Sequence, residues 1–209
     1  MKGKFITFEG SEGSGKSTQS KLLVDYLKRK GFPVLFLREP GGTTISEKIR
    51  KILLDHKNDS MSASCELLLY MASRAQMVAE VIKPHLLKGT IVICDRFLDS
   101  TIAYQGYGLG MDLKLIRYMG SFATQGIRPD LTVFLDVPVK DGLKHRHLHE
   151  DRIEKRPLSY HERVRRGYLR IARSEPSRFK IVKLEKEKSA TQKKIRKLVE
   201  RTLCTGCRL

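Results

Sequence analysis

The 209-residue sequence predicts an α/β protein with a parallel sheet and helices on both of its faces. Short apolar runs of strand length alternate with longer segments whose apolar residues recur at helical spacing. Polar residues suited to chemistry follow the strand-like runs, at the edge where parallel sheets bind ligands. With no internal repeat and no low-complexity linker, we expect residues 1–209 to form a single domain.

The first half of the chain is predicted to contain two strands and three helices. Gly31 and Gly89 follow helical patterns and mark helix ends. The middle helix is amphipathic, and we expect its apolar residues Ile45, Ile49, Ile52 and Leu53 to face inward. In chain order the elements are a strand at Lys4–Glu9, a helix at Lys16–Lys30, a strand at Pro33–Leu37, and helices at Thr43–Leu54 and about Ser64–Lys88.

The second half repeats the alternation after a buried-looking strand. A charged region of weak apolar content, Lys140 to Arg156, interrupts the pattern. The predicted elements are strands at Thr90–Cys94, Leu131–Leu135 and Phe179–Leu184, and helices at about Pro157–Ala172 and Ala190–Leu203.

The charge is strongly basic and uneven. The formal net charge is +18, and residues 140–209 carry 22 Lys/Arg and 9 Asp/Glu, a net charge of +13. Such a field attracts nucleic acid, anionic membranes or a triphosphate. Because acidic and apolar residues interleave with the basic ones at helical spacing, we favour solvated helix faces over nucleic-acid binding. No apolar run approaches membrane-spanning length and no secretory leader is recognised, so a soluble cytoplasmic protein is expected.

The four cysteines indicate little special chemistry. Cys94 lies in an apolar run and is expected in the core. Cys204 and Cys207 have C-x-x-C spacing, but no second pair completes a zinc site. We interpret this C-terminal pair as two ordinary thiols, with a redox or zinc role as the alternative; Cys65 is the fourth cysteine.

The strongest motif is a phosphate-binding loop. Gly10 to Ser17 matches G-x-x-x-x-G-K-[ST] and lies between a predicted strand and a predicted helix. The loop turns its N–H groups toward phosphate oxygens, Lys16 supplies a positive charge, and Ser17 reaches Mg²⁺. The predicted ATP-binding residues are Gly10, Ser11, Glu12, Gly13, Ser14, Gly15, Lys16, Ser17 and Thr18.

A second motif ends an apolar strand with Asp95 and Arg96. An acidic residue at this place is the usual partner of a P-loop and binds Mg²⁺ directly or through water. Arg96 can bind the phosphate of an acceptor. A structural ion pair is the alternative interpretation.

Three segments together resemble the bacterial thymidylate kinase family. They are Phe8 to Thr18, Arg38 to Thr43 and Asp95 to Gly106, supported by Arg128 to Asp136 and Asp151 to Glu154. The resemblance runs from near Phe5 to about Leu184. It implies a P-loop NTPase fold with a five-stranded parallel sheet ordered 2-3-1-4-5, and a homodimer. It also implies phosphorylation of dTMP to dTDP with ATP and Mg²⁺.

The resemblance also implies an acceptor site. Tyr70 and Arg74 lie four residues apart, so they share a helix face. There the aromatic ring can stack on a base, and the guanidinium can bind a phosphate or the edge of the base. Alternatively, Tyr70 is an ordinary core residue, and Arg38 forms an ion pair with Glu39 instead of binding the acceptor. The predicted substrate-binding residues are Glu12, Arg38, Arg50, Tyr70, Arg74, Arg96, Thr101, Tyr104 and Gln105.

The charged region, about residues 140–156, resembles the lid of this family. Some relatives carry a catalytic arginine in the P-loop and others in the lid, and this P-loop has none between Gly10 and Gly15. Arg146, Arg152 and Arg156 are therefore the lid candidates, and Lys16 and Arg96 complete the predicted catalytic set. His145 and His149 share a helical face, but no further ligand for a metal joins them.

Two other functional classes remain open at this point. Another P-loop nucleoside monophosphate kinase or a deoxynucleoside kinase would share most of these features. A nucleotide switch or a nucleic-acid-stimulated ATPase has only the net charge in its favour, since a guanine-reading N-K-x-D segment is absent from the sequence.

Overall fold

The computed structural model describes residues 3–144 and 151–204. These residues contain a five-stranded, fully parallel sheet in the order β2-β3-β1-β4-β5, which confirms the predicted fold class. The strands are β1 (Lys4–Glu9), β2 (Val34–Arg38), β3 (Ile91–Asp95), β4 (Leu131–Asp136) and β5 (Phe179–Lys183).

Helices cover both faces of this sheet. They are α1 (Lys16–Arg29), α2 (Thr44–Leu54), α3 (Ala63–Met77), α4 (Lys83–Leu87), α5 (Leu98–Thr101), α6 (Leu113–Ala123), α7 (Val139–Leu143), α8 (Leu158–Ser174) and α9 (Lys188–Cys204), with π-helical turns at Val78–Ile82 and Ile102–Gly108.

The side-chain alternation of β1 shows how the two layers form. Ile6 and Phe8 pack against α1 and α9, where Leu23 and Val199 belong to the same core cluster. Phe5 points to the opposite face and packs in another cluster with residues of α3 and the π-helical turn that follows it. Since successive strand residues face opposite ways, a sheet covered on both sides needs apolar residues at consecutive positions.

Two expectations differ from the structure. The long predicted helix is divided by the π-helical turn Val78–Ile82, just before Pro84, which has no N–H to donate to a regular helical bond. On α2, Leu53 is fully buried as expected, but Ile45 and Ile52 are 50% and 47% exposed, so their predicted inward orientation is wrong. Only part of the apolar stripe of α2 therefore packs against the rest of the described chain, and the remainder is exposed.

The parallel arrangement of the strands brings the predicted site residues together. All five strands run in the same direction, so the carboxyl ends of β1, β2, β3 and β4 meet at one edge of the sheet.

Among the described helices, none is long and apolar enough to cross a membrane.

Candidate active site

The P-loop leaves β1 and leads into α1. Gly13 and Gly15 adopt positive φ values of 68° and 79°, which side chains disfavour. A Cβ atom on Gly13 would lie 1.9 Å from the carbonyl oxygen of Gly142, so α7, at the start of the predicted lid, packs directly on the loop. Conformation and space both require glycine at Gly13, whereas conformation alone does so at Gly15.

Lys16 points back over the loop. Its Nζ atom donates to the carbonyl oxygens of Gly10 at 3.1 Å and Ser11 at 2.8 Å, and the residue is buried. Burial, aided by the nearby charge of Arg96, lowers the pKa of Lys16. Its donors are held by neutral oxygens, so a triphosphate can replace these contacts with stronger, charge-assisted ones.

Ser17 and Asp95 meet beside the P-loop. The hydroxyl of Ser17 donates to Asp95 Oδ2 at 2.7 Å, joining the start of α1 to the end of β3. The other carboxylate oxygen of Asp95 is buried and has no hydrogen-bond partner among the described residues. A hydroxyl and an unsatisfied carboxylate oxygen are ligands that suit Mg²⁺. The described residues contain no cluster of three His, Cys, Asp or Glu side chains able to hold a metal by themselves.

Arg96 adopts the left-handed conformation, with φ at 71°. Its guanidinium pairs with the carboxylate of Glu12 and lies 4.9 Å from the ring of Tyr104. Burial opposes the charge of Arg96, but Glu12 and its other neighbours raise the pKa of Arg96 well above its ordinary value. A non-glycine residue held at positive φ at a strand end is a common sign of a functional site.

Two adjoining cavities open at this edge of the sheet. We call the first the phosphate cavity; it is lined by Glu12, Gly13, Ser14, Gly15, Lys16, Ser17, Thr18, Arg38, Glu39, Arg50, Asp95, Arg96 and Glu154. We call the second the acceptor cavity; it is lined by Glu12, Glu39, Pro40, Arg50, Leu54, Tyr70, Arg74, Arg96, Ser100, Thr101, Tyr104, Gln105, Asp151, Ile153 and Glu154. The residues that border both cavities, and so lie at their boundary, are Glu12, Glu39, Arg50, Arg96 and Glu154.

Arg74 lies in the wall of the acceptor cavity and is 1% exposed. Its Nε and Nη2 atoms donate to Glu39 at 3.0 and 2.6 Å, and Nη2 also donates to Thr101 at 2.9 Å. Nη1 donates to the Met71 sulfur at 3.4 Å. An Nη atom carries two N–H groups, so its second N–H group can donate to a ligand. Burial raises the pKa of Glu39, and the charge of Arg74 opposes this effect.

The remaining predicted acceptor residues are distributed as follows. Tyr70, Arg50, Tyr104 and Gln105 line the acceptor cavity, and Arg50 donates to the Pro40 carbonyl at 2.9 Å. Arg38 is exposed, pairs with Glu47 at 3.4 Å and borders only the phosphate cavity. The alternative ion pair between Arg38 and Glu39 is therefore wrong, because Glu39 turns inward to Arg74.

The lid candidates occupy different surroundings. Arg152 is 6% exposed, donates to the Leu53 carbonyl at 3.1 Å and to Glu66, and lines neither cavity. Arg156 pairs with the same carboxylate at 2.7 Å. Arg146, like His145 and His149, lies outside the described residues. The described surroundings of Arg152 favour structural anchoring, and its catalytic role stays a prediction.

Several cavity residues were not predicted from the sequence. Leu54, Asp151, Ile153 and Glu154 reach the acceptor cavity from α2 and from the C-terminal part of the predicted lid. Asp151 and Glu154 bound one of the segments that resemble the thymidylate kinase family, and this resemblance is the sequence signal that could have identified them.

A fold and site of this kind define a class of protein. The P-loop, its acidic partner and a neighbouring arginine-lined cavity are the parts of a P-loop kinase whose acceptor carries a phosphate. The thymidylate kinase family model matches residues 8–195. The chain therefore belongs to the thymidylate kinase family.

Individual relatives agree with this assignment. The chain is 53% identical over 189 residues to the thymidylate kinase of Geotalea daltonii, covering 86% of this chain and 88% of the relative. It is 46% identical to that of Caldanaerobacter subterraneus, covering 97% and 98%. The crystal structure of thymidylate kinase from Ehrlichia chaffeensis matches with a TM-score of 0.79 at 36% identity, covering 96% of this chain and 99% of that one.

Proposed function

We propose that this chain transfers the γ-phosphoryl group of ATP to the phosphate of dTMP, giving ADP and dTDP, at the boundary of the two cavities. The observation that carries the proposal is the arrangement of Lys16 and Arg96. Lys16 lines the phosphate cavity, and Arg96 borders both cavities at their boundary. The acceptor phosphate can thus meet the γ-phosphate in line, so catalysis rests on positioning and charge.

The phosphate cavity would hold the donor. The P-loop N–H groups and the N-terminus of α1 bind the phosphates, and Lys16 neutralises charge on the transferred group. Mg²⁺ would be held by Ser17 and Asp95, directly or through water, and it would supply further charge neutralisation. The unsatisfied carboxylate oxygen of Asp95 supports this placement.

The acceptor cavity would hold dTMP. Arg96 binds its phosphate, Tyr70 stacks on the base, and Arg74 contacts the base edge through its Nη1 end. Tyr104 is 6% exposed and its hydroxyl lies 3.2 Å from Glu12, so its ring is held firmly enough to crowd the sugar 2′ position. Thr101, Gln105 and Arg50 complete this cavity, and Arg38 would contact the acceptor from the phosphate cavity, which it borders.

The chain is proposed to work as a single kinase domain, residues 1–209, with a lid at about residues 140–156. We also propose a homodimer, because large apolar side chains are exposed on the neighbouring helices α2, α3 and α6: Ile45, Ile52, Leu68, Leu115, Tyr118 and Phe122. A cytoplasmic location fits the exposed free thiols of Cys65 and Cys204, which persist in reducing compartments.

Coupled phosphotransfer assays with ATP against dTMP, dUMP, UMP, CMP and AMP test the proposal. We expect kcat/KM to be highest for dTMP. A wall that merely fits an added hydroxyl badly rejects it by about 100-fold, so the ribose analogue of dTMP should fall behind by roughly that factor. Turnover of UMP or CMP equal to that of dTMP would contradict the assignment.

A further inference from the structure

Glu66 is a fully buried carboxylate just outside the acceptor cavity. It lies on α3, four residues before Tyr70 and on the same helix face. Its Oε1 atom accepts a hydrogen bond from Gln105 Nε2 at 2.8 Å. Its Oε2 atom accepts from Arg152 and from Arg156, the latter at 2.7 Å. Both oxygens are thus occupied, and the two guanidinium groups compensate the buried charge.

The chemistry of this contact determines how the Gln105 amide is turned. A carboxylate accepts hydrogen bonds and has none to donate, so the amide must present its NH₂ end to Glu66. The carbonyl end is then turned away from Glu66. Gln105 lines the acceptor cavity, so this carbonyl is the hydrogen-bond acceptor that its amide can offer to a ligand.

The backbone beside Gln105 is held separately. The Leu109 N–H group donates to the carbonyl oxygen of Tyr104 at 3.1 Å, and the Met111 N–H group donates to the backbone carbonyl oxygen of Gln105 at 3.2 Å. The position of the segment therefore has its own support, and the direction of the Gln105 amide depends on Glu66.

We propose that Glu66 is a positioning residue that selects the pyrimidine through Gln105. It holds the amide so that the carbonyl accepts from the N3–H group of thymine. Cytosine carries a lone pair at N3, which would face that carbonyl without a proton between them. The inference rests on the proposed placement of the base beside Gln105, and it makes Glu66 a determinant of the preference for dTMP over dCMP.

The test compares kcat/KM for dTMP and dCMP in the wild type and in Glu66→Gln. In this variant the two arginines hold the new carbonyl, so its NH₂ group faces Gln105 and favours the reversed amide. We expect the dTMP-to-dCMP ratio to fall at least about tenfold, the scale of one lost or mismatched hydrogen bond. Glu66→Asp keeps the charge beside both arginines but shortens the reach, so it should also lower the ratio in a stably folded protein.

A double-mutant cycle with Gln105→Ala separates this role from a structural one. In the Gln105→Ala background, Glu66→Gln should change the ratio no further. Glu175→Gln is the matched control, since it removes a carboxylate from Arg178 and Arg128, away from the acceptor cavity, and should leave the ratio unchanged. If Glu66→Gln and Glu66→Asp lower both substrates equally, or if Gln105→Ala leaves the ratio intact, the inference is overturned. Failure of the wild type to use dTMP would instead overturn the proposed function.

Discussion

The guanidinium of Arg96 pairs with the carboxylate of Glu12 at the boundary of the two cavities. This contact joins the end of β3 to the P-loop and places opposite charges where donor and acceptor phosphates are proposed to meet. Burial acts to raise the pKa of Glu12, but the charges of Arg96 and Lys16 hold it at about 2. Glu12 is therefore ionised at neutral pH and can keep Arg96 oriented toward the acceptor phosphate.

The Glu12 carboxylate should contribute to stability in a pH-dependent way. Its folded pKa lies below the ordinary value of 4.5, so the stabilisation is present above pH 4.5 and is lost as pH falls toward 2. The shift corresponds to at most about 3 kcal/mol, and to less because the side chain is 23% exposed. Urea unfolding at pH 5 and pH 3 should show a smaller loss in Glu12→Gln than in the wild type. Equal losses would show that the ion pair does not stabilise the fold.

Lys16 should be required for phosphoryl transfer. Replacing it with Ala removes the one cationic side chain of the P-loop, Gly10 to Ser17, and should lower kcat at least about 100-fold, the scale for losing one preorganised charge-stabilising group. Steady-state assays with ATP and dTMP measure the effect. Lys21→Ala, an exposed change on the same helix, is the control and should retain activity. Near-normal turnover in Lys16→Ala would remove this residue from the mechanism.

Tyr70 should serve the acceptor alone. It lines the acceptor cavity but not the phosphate cavity, so Tyr70→Ala should raise KM for dTMP while KM for ATP stays nearly unchanged. Loss of one base–aromatic stack is worth about 1–3 kcal/mol, or roughly 5- to 150-fold in KM. Tyr26→Ala removes a ring from α1, outside both cavities, as a control. Parallel increases of both KM values would argue against stacking.

The lid arginines should divide into a catalytic and an anchoring group. Arg152 is buried against Glu66, so Arg152→Ala should lower the free energy of unfolding by about 3–5 kcal/mol, as expected when one partner of a buried ion pair is removed. Arg146→Ala should instead lower kcat and leave the thermal midpoint unchanged. Denaturation and single-turnover assays on both variants distinguish the roles. If Arg146→Ala keeps kcat within about threefold, less than about 0.7 kcal/mol, the transition-state charge comes from elsewhere.

The features that the sequence by itself determined are local ones. The P-loop, the Asp95–Arg96 pair and the alternation of strands and helices depend on residues that are neighbours in the chain, and backbone geometry converts such spacing into a defined structure. The common face of Tyr70 and Arg74 could be predicted for the same reason.

The tertiary structure alone decided which charges meet. Arg74 pairs with Glu39, 35 residues away, and Glu66 meets Gln105, Arg152 and Arg156 from two distant segments. With 41 basic and 23 acidic side chains, the sequence permits many such pairings. A buried hydrogen bond forms only when two atoms come within about 3 Å at a suitable angle, and that distance is set by how helices pack on the sheet rather than by separation along the chain.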